Sequence, residues 1–247
     1  MDKVRELAKM IDHSLLHPTM TDDELKNGCG IARNYEVASV CVKPYAVPMA
    51  KALLEDAPVL TGTVVGFPHG NSTIDIKVAE TLKACEDGAV EIDVEINIGK
   101  ALQQDWEYLE REILEVTNAA HTQQALVKVI FENDFLPDDS IKMELCKICT
   151  LVGADFVKTS TGYGFVKGSD HRYSYQGATH EDLKLMRKYS GKQVQVKAAG
   201  GIRTLDDLLK VQALGVTRVG ATATVTILEA AKTRFSTGSS LDSPWLS

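Results

Sequence analysis

Residues 90–96 read Val90-Glu91-Ile92-Asp93-Val94-Glu95-Ile96, a strict alternation of apolar and acidic side chains. Period-two alternation marks a β-strand, because successive side chains leave a strand on opposite faces. Val90, Ile92, Val94 and Ile96 share one face, while Glu91, Asp93, Glu95 and the following Asn97 share the other. The apolar face suits packing against helices, so the acidic face must line an interior that holds polar groups. A parallel barrel has such an interior: one face of each strand meets the surrounding helices and the other fills the barrel.

Seven more runs of strand character accompany this one: Ile11 to Leu15, Ala38 to Val42, Gly62 to Phe67, Leu126 to Phe131, Phe156 to Thr159, Val194 to Ala198 and Arg218 to Ala221. Their starts recur about every 25 to 40 residues, the spacing of successive βα units. Helix signals fill the gaps. Thr21-x-x-Glu24 is a capping box, Ser72 precedes an amphipathic run to Asp87, and Thr204 precedes Leu205-Asp-Asp-Leu-Leu. Leu109, Ile113, Leu114 and Val116 follow helical spacing after Trp106, and Leu183, Leu185 and Met186 populate another short helix.

Eight βα units in 247 residues predict an α/β chain folded as a single (β/α)8 TIM barrel, with an extra N-terminal capping helix before Ile11. The competing doubly wound sheet lacks its Gly-x-Gly-x-x-Gly turn after the first strand. Residues 1–235 are assigned to the barrel domain, and 236–247, rich in Ser and Gly, to a flexible C-terminal tail.

Composition narrows the function. A formal charge of −7 without a basic stripe excludes a nucleic-acid surface. No apolar run approaches the ~18 residues of a membrane-spanning helix, and Met1-Asp-Lys-Val-Arg-Glu-Leu lacks the apolar core of a signal peptide. A cytoplasmic protein with no membrane partner is expected. Cys29, Cys41, Cys85, Cys146 and Cys149 are too scattered for a disulfide framework. Cys146-x-x-Cys149 lies deep in a helical pattern, away from the helix start that would stabilise a thiolate, and reads as ordinary helix packing.

Three lysines sit among apolar alternates: Lys128 between Val127 and Val129, Lys158 in Phe156-Val-Lys-Thr-Ser-Thr-Gly162, and Lys197 after Val196. By the same parity they point inward from strands five, six and seven. Buried charges are paired, so an ionic network is expected at the C-terminal mouth, where barrel enzymes work. A free lysine is about one part in two thousand neutral at pH 7. A second ammonium within about 5 Å, with partial desolvation, lowers a lysine pKa by ~2 to 3 units and makes a nucleophile. A purely structural ion-pair network is the competing use of the same residues. Gly200-Gly201 after strand seven, with Arg203 and with Gly220 in strand eight, form an anion-site candidate, because barrels bind phosphate there through backbone N–H groups.

The stretch Gly153-Ala-Asp-Phe-Val-Lys-Thr-Ser-Thr-Gly162, with Val196-Lys-Ala-Ala-Gly-Gly-Ile-Arg-Thr204 and Glu91-Ile-Asp93, resembles the 2-deoxyribose-5-phosphate aldolase family, class I aldolases on a (β/α)8 barrel. Ile11-Asp-His-Ser-Leu-Leu16, Ser39-Val-Cys-Val42, Thr63-Val-Val-Gly-Phe-Pro68 and Lys128-Val-Ile support it. The resemblance implies reversible cleavage of 2-deoxy-D-ribose 5-phosphate to D-glyceraldehyde 3-phosphate and acetaldehyde, with no metal and no cofactor. It implies Lys158 as the Schiff-base lysine, Lys197 as the second lysine that lowers its pKa, and Asp93 as the acid/base partner acting with an ordered water. Asp12, Cys41, Lys128, Thr161 and Gly162 join Gly200, Gly201, Arg203, Gly220 and Thr222 as candidates for holding the sugar phosphate. A homo-oligomer, a dimer, is expected.

The chain also departs from that pattern. Glu95 stands where the family usually has an apolar residue, and is expected to pair with a lysine such as Lys128 or else to add a functional carboxylate. Lys43 stands where asparagine is common, and His17 and His69 also differ, all near strand ends where they reshape the mouth. Tyr163 to Gln176 is a longer connection than the family's usual one, suggesting a lid, an oligomer contact or, from its tyrosines and Arg172, simple surface cover. Gly220-Ala-Thr-Ala-Thr224 replaces a common serine pair, leaving the hydroxyls of Thr222 and Thr224 for phosphate. Two other readings compete: a lysine-dependent aldolase for another aldehyde or keto acid, and a catalytically silent barrel that binds a sugar phosphate.

Overall fold

The alternating runs close on themselves in the computed structural model, which describes residues 2–236. Strands β1 (Ile11–Leu15), β2 (Ser39–Val42), β3 (Leu60–Val65), β4 (Glu91–Glu95), β5 (Leu126–Ile130) and β6 (Phe156–Lys158) follow one another around the barrel. A separate antiparallel pair, β7 (Val166–Lys167) and β8 (Tyr173–Ser174), interrupts before β9 (Gln195–Ala199) and β10 (Arg218–Ala221) complete it. Every barrel pairing is parallel, and β10 meets β1 with Gly220 opposite Asp12, so no sheet edge is left open.

Helix α1 (Lys3–Ala8) is the predicted N-terminal addition, packed on the last helix. Helices α2 (Asp22–Asn34), α3 (Val47–Leu53), α4 (Ile74–Glu86), α5 (Ile98–Leu102) and α6 (Trp106–Thr122) cover the first half. Helices α7 (Asp139–Val152), α8 (His180–Tyr189), α9 (Leu205–Ala213) and α10 (Thr224–Ser236) cover the second. Among these described residues no helix is long and apolar enough to cross a membrane. Ser236 belongs to α10, so the expected tail starts no earlier than residue 237 and lies outside the described residues.

Local signals decide the boundaries. Thr21 and Glu24 make the reciprocal capping box at the start of α2, and Thr204 caps α9 with Asp207. Helix α4 begins after Thr73 and not after Ser72, and the Thr73 side chain makes no capping bond. Strand β3 starts and ends two residues earlier than its apolar run suggests. Gly66 turns into the left-handed region (φ 61°) and its carbonyl accepts the Gly70 N–H at 2.7 Å, which ends the strand. Cys146 and Cys149 are buried free thiols of α7, and burial pushes Cys146 up to about 12.

The two strand faces separate as the alternation requires. Ile92, Val94, Val127, Val129, Val157, Val196 and Val219 join Leu109, Ile113, Leu145, Leu183, Leu208 and Ile227 in the core between sheet and helices. Asp12, Glu91, Asp93, Glu95, Lys128 and Lys197 are buried from the opposite face, inside the barrel. The long segment after β6 is a hairpin, not an irregular loop: Val166 pairs with Ser174 and Lys167 with Tyr173. Asp134 pins its end by accepting the N–H groups of Gln176 and Gly177 at 2.7 and 2.9 Å.

His13, of opposite parity to Asp12, lies between β1 and α10 with its Nδ1 2.8 Å from Thr224 Oγ1. Burial lowers its pKa from 6.5 to about 4. A folded-state pKa below the unfolded one means that protons favour the unfolded chain. The stability tied to neutral His13, ~3 kcal/mol at ~1.4 kcal/mol per unit, is therefore present above pH 6.5 and lost as pH falls towards about 4. Denaturation midpoints are expected to fall less steeply over this range in His13→Asn than in the parent chain, and parallel curves would contradict this.

Candidate active site

Strand β4 delivers the anions and its neighbours deliver the cations. Asp93 Oδ1 accepts from Lys128 Nζ at 2.9 Å, while Oδ2 accepts from Lys158 Nζ at 2.7 Å and Lys197 Nζ at 2.6 Å. Lys197 Nζ also stands 2.5 Å from Asp12 Oδ2. Lys128 Nζ lies 2.7 Å from Glu91 and 3.3 Å from Asp12, and Arg218 bridges Asp12 and Glu91 at 2.5 and 2.9 Å. Lys158 is only 3% exposed and Lys197 1%. Lys158 therefore touches one carboxylate, Lys197 two and Lys128 three.

Those contacts set the protonation states. Burial alone would raise Asp93, but the ammoniums of Lys128, Lys158 and Lys197 outweigh it and hold the carboxyl well below its ordinary range. Burial opposes the charge on Lys197 too, yet Asp12 and Asp93 win and push its pKa up. Lys128 is raised in the same way by Asp12, Asp93 and Glu91. Asp93 is thus a carboxylate, and Lys128 and Lys197 are firm ammonium ions.

Glu95 does not pair with Lys128, whose ammonium is taken up by Glu91, Asp93 and Asp12. Neither carboxyl oxygen of Glu95 has a hydrogen-bond partner. Its backbone carbonyl does, accepting Lys77 Nζ at 2.6 Å, and that ammonium pairs with Glu112 at 2.7 Å. Pairing by parity failed here because Glu95 sits one inward step beyond Asp93, opposite Ile130 and not Lys128. Next to it Glu132 adopts a left-handed conformation (φ 52°) and accepts the Thr161 N–H at 3.2 Å and the Thr161 hydroxyl. Burial pushes Glu132 up to about 6.

Leu16, Cys41 and Val64 form an apolar cluster of their own with Phe67 and Tyr163, whose rings meet edge to face at 5.7 Å. A cavity of about 310 Å³ opens over it, lined also by Pro18, Lys43, Pro44 and Pro68. Its inner wall adjoins the ionic network, since Val64 is the strand partner of Asp93. Burial raises the Cys41 thiol to about 11, so it presents a neutral S–H. Lys43 ties the rim by donating to the carbonyls of His17 and Met20, both at 3.1 Å, whereas the His17 and His69 side chains are exposed. A larger cavity of about 440 Å³, between residues 133–139, the hairpin and the start of α8, is lined by none of the barrel lysines.

The anion-site candidates gather at the adjacent ends of β9 and β10. Gly200 and Gly201 both have positive φ (86° and 87°), a tight turn that glycine adopts without strain. Gly220 faces Lys197: a Cβ there would stand 3.6 Å from Lys197 Cε. Thr222 and Arg203 are exposed beside them. Thr224, expected to keep a hydroxyl for phosphate, instead spends it on His13 inside the fold. Asp12 and Lys128, expected to hold substrate, are occupied by the network, Asp12 also accepting from Ser39 Oγ at 2.7 Å.

Arg218, Glu132 and Tyr175 were not singled out from the sequence. Arg218 was legible from its alternation with Val219, whereas Glu132 follows the end of β5 and its partner depends on a left-handed turn. Tyr175 comes from the hairpin, and a Cβ on Gly200 would meet its hydroxyl oxygen at 1.8 Å. Among the described residues no group of three or more His, Cys, Asp and Glu side chains is disposed to hold a metal ion.

Residues 7–228 match the DeoC/LacD family aldolase domain. A deoxyribose-phosphate aldolase of Rhodopirellula baltica is 48% identical over 92% of this chain and 90% of its own length. One of Caldanaerobacter subterraneus is 44% identical over 92% and 94%. The tetrameric deoxyribose phosphate aldolase structure from Aeropyrum pernix aligns with a TM-score of 0.82 at 29% identity, covering 94% of this chain and 93% of that one.

The network makes a stability prediction. Lys128→Met leaves Asp12, Glu91 and Asp93 short of a buried cation and is expected to destabilise the chain by about 3 to 5 kcal/mol in urea denaturation. A loss below about 1 kcal/mol would show that the lysine is dispensable to the network.

Proposed function

The chain belongs to the DeoC/LacD family of aldolases, and on that footing we propose that it cleaves 2-deoxy-D-ribose 5-phosphate reversibly through a Schiff base on Lys158. The products are D-glyceraldehyde 3-phosphate and acetaldehyde. The observation that carries the reading is one carboxylate oxygen of Asp93 shared between Lys158 and Lys197, at 2.7 and 2.6 Å. Of the three barrel lysines Lys158 is the least tied by carboxylates, which suits it for the covalent role. The substrate follows the names of the relatives.

Lys158, as the free amine, adds to the C1 aldehyde, and loss of water gives an iminium that acts as an electron sink. Removal of the C3 hydroxyl proton lets the C2–C3 bonding pair move into the iminium, releasing the three-carbon aldehyde and leaving an enamine. Protonation at C2 and hydrolysis free acetaldehyde. Asp93, working with an ordered water, is the acid/base group. When Lys158 gives up its proton, one of the three cations that depress Asp93 is gone, so the carboxylate becomes a better acceptor. Lys197 keeps a fixed positive charge beside it.

The phosphate is assigned to the N–H groups of Gly200 and Gly201, with Gly220, Thr222 and Arg203 around them. Thr161 and Gly162, at the end of β6, and Cys41 are assigned to the sugar. An aldolase of the same chemistry acting on another aldehyde is the second reading, favoured by the engagement of Thr224 with His13, which leaves Thr222 alone to offer a hydroxyl. A silent barrel gains little from burying Lys158, which meets a single carboxylate already shared with Lys128 and Lys197. A cytoplasmic homo-oligomer, read as a dimer, completes the reading: the five free cysteines suit a reducing compartment, and the tetramer named for the Aeropyrum pernix relative supports an oligomer but not its being a dimer. Light scattering that returns the mass of one chain would remove the oligomer from it.

Incubation with deoxyribose 5-phosphate and borohydride is expected to leave a reduced adduct that peptide mass spectrometry maps to Lys158. Trapping only with unphosphorylated aldehydes would favour the second reading, and no adduct on any lysine would defeat both. In Lys197→Leu, Asp93 Oδ2 serves Lys158 alone and holds its ammonium. Trapping at pH 7 is expected to drop at least about tenfold and to recover in part as pH rises. A pH response as flat as it is weak would count against the role of Lys197.

A further inference from the structure

Among the described residues Glu95 is the buried carboxyl group with neither oxygen hydrogen-bonded. It stands one inward step beyond Asp93 on β4, towards the mouth, and its strand partner Ile130 pairs in turn with Lys158. The loop Gly66 to Gly70 closes over it, where a Cβ on Gly70 would come within 2.9 Å of Glu95 Cγ. The charged groups that face it are Lys77 of α4, Glu112 of α6, Glu132 beyond β5 and Lys158 of β6. An apolar side chain would fill this place without leaving two polar atoms unsatisfied, so an acid here works against stability.

Imine formation on a lysine needs an acid, because hydroxide is a poor leaving group until it is protonated. Around Lys158 the choices are few. Asp93 is already ionised, Lys197 holds its proton more firmly than an ordinary lysine, and Glu132 has both oxygens turned to Thr161. Glu95 alone combines a free carboxyl with an environment that keeps it protonated: burial, reinforced by Glu132, pushes it well above the ordinary range.

We propose that Glu95 is the general acid that dehydrates the carbinolamine on Lys158, and the general base that rehydrates the product iminium. The proposal rests on Lys158 being the Schiff-base lysine. In the forward step the Glu95 carboxyl proton passes to the C1 hydroxyl, the C–O bond breaks with its electron pair and water leaves. The Nζ lone pair forms the C=N bond, so a neutral carbinolamine and a neutral acid become an iminium and a carboxylate. After carbon–carbon cleavage and protonation of the enamine, water adds to C1 of the acetaldehyde iminium. Its proton returns to Glu95, and the acid is restored with no other donor consumed.

The test uses the full chain and acetaldehyde with borohydride, following the rate at which Lys158 is trapped. Glu95→Gln keeps the shape but not the acidity, and is expected to slow trapping by about a hundredfold, with Glu95→Asp intermediate. The parent rate is expected to fall with rising pH as Glu95 ionises, a limb that Glu95→Gln lacks. Glu95→Val is expected to show the same loss of trapping while its thermal midpoint is no lower than the parent's, which separates chemistry from folding. Gln and Val variants that trap as fast as the parent would overturn the role of Glu95 alone. A parent chain with no adduct on Lys158 would overturn the Schiff-base reading and this proposal with it.

Discussion

A single carboxylate, Asp93, holds three ammonium ions inside a closed barrel, and much else follows from that arrangement. Lys128, Lys158 and Lys197 come from three consecutive barrel strands, β5, β6 and β9, and none could be buried without a counter-charge. Asp12 and Glu91 share the load on one side and Arg218 joins them. The same contacts that make burial tolerable also fix the protonation states on which chemistry at Lys158 would depend.

The network divides the barrel interior by height. Asp12, Glu91 and Arg218 form a saturated ionic layer towards the N-terminal ends of the strands. Above Asp93 the charges thin out into the apolar cluster of Leu16, Cys41 and Val64 on one side and the unpartnered Glu95 on the other. Lys158 stands at that transition with one ionic contact, which distinguishes it from Lys128 although both are inward lysines of adjacent strands. Position along the strand, not residue type, separates the structural lysine from the candidate nucleophile.

The β7–β8 hairpin is coupled to the anion-site candidates through a glycine. Gly200 has a positive φ and no room for a Cβ, because the Tyr175 hydroxyl and the Gly177 backbone sit against it. The Gly200 carbonyl accepts the Ala178 N–H at 3.1 Å, so the chain leaving the hairpin is bound to the same turn. A hairpin that looks like an independent surface feature is therefore packed onto the loop after β9.

The amino-acid sequence alone determined the eight runs and, through their count and spacing, the barrel; strand alternation determined the inward direction of Asp93, Lys128, Lys158 and Lys197, because the side-chain period of two is a local property of an extended chain. Glycine pairs and capping boxes were legible for the same reason. Partnership was not. Parity said that Glu95 and Lys128 share an interior, but only the register showed them one step apart, with Lys128 already surrounded and Glu95 alone. Thr224 looked available until the packing of α10 against β1 brought His13 to it. Which groups meet across a barrel depends on strand stagger and closure, which arise from contacts between residues far apart in sequence and leave no trace in the local pattern.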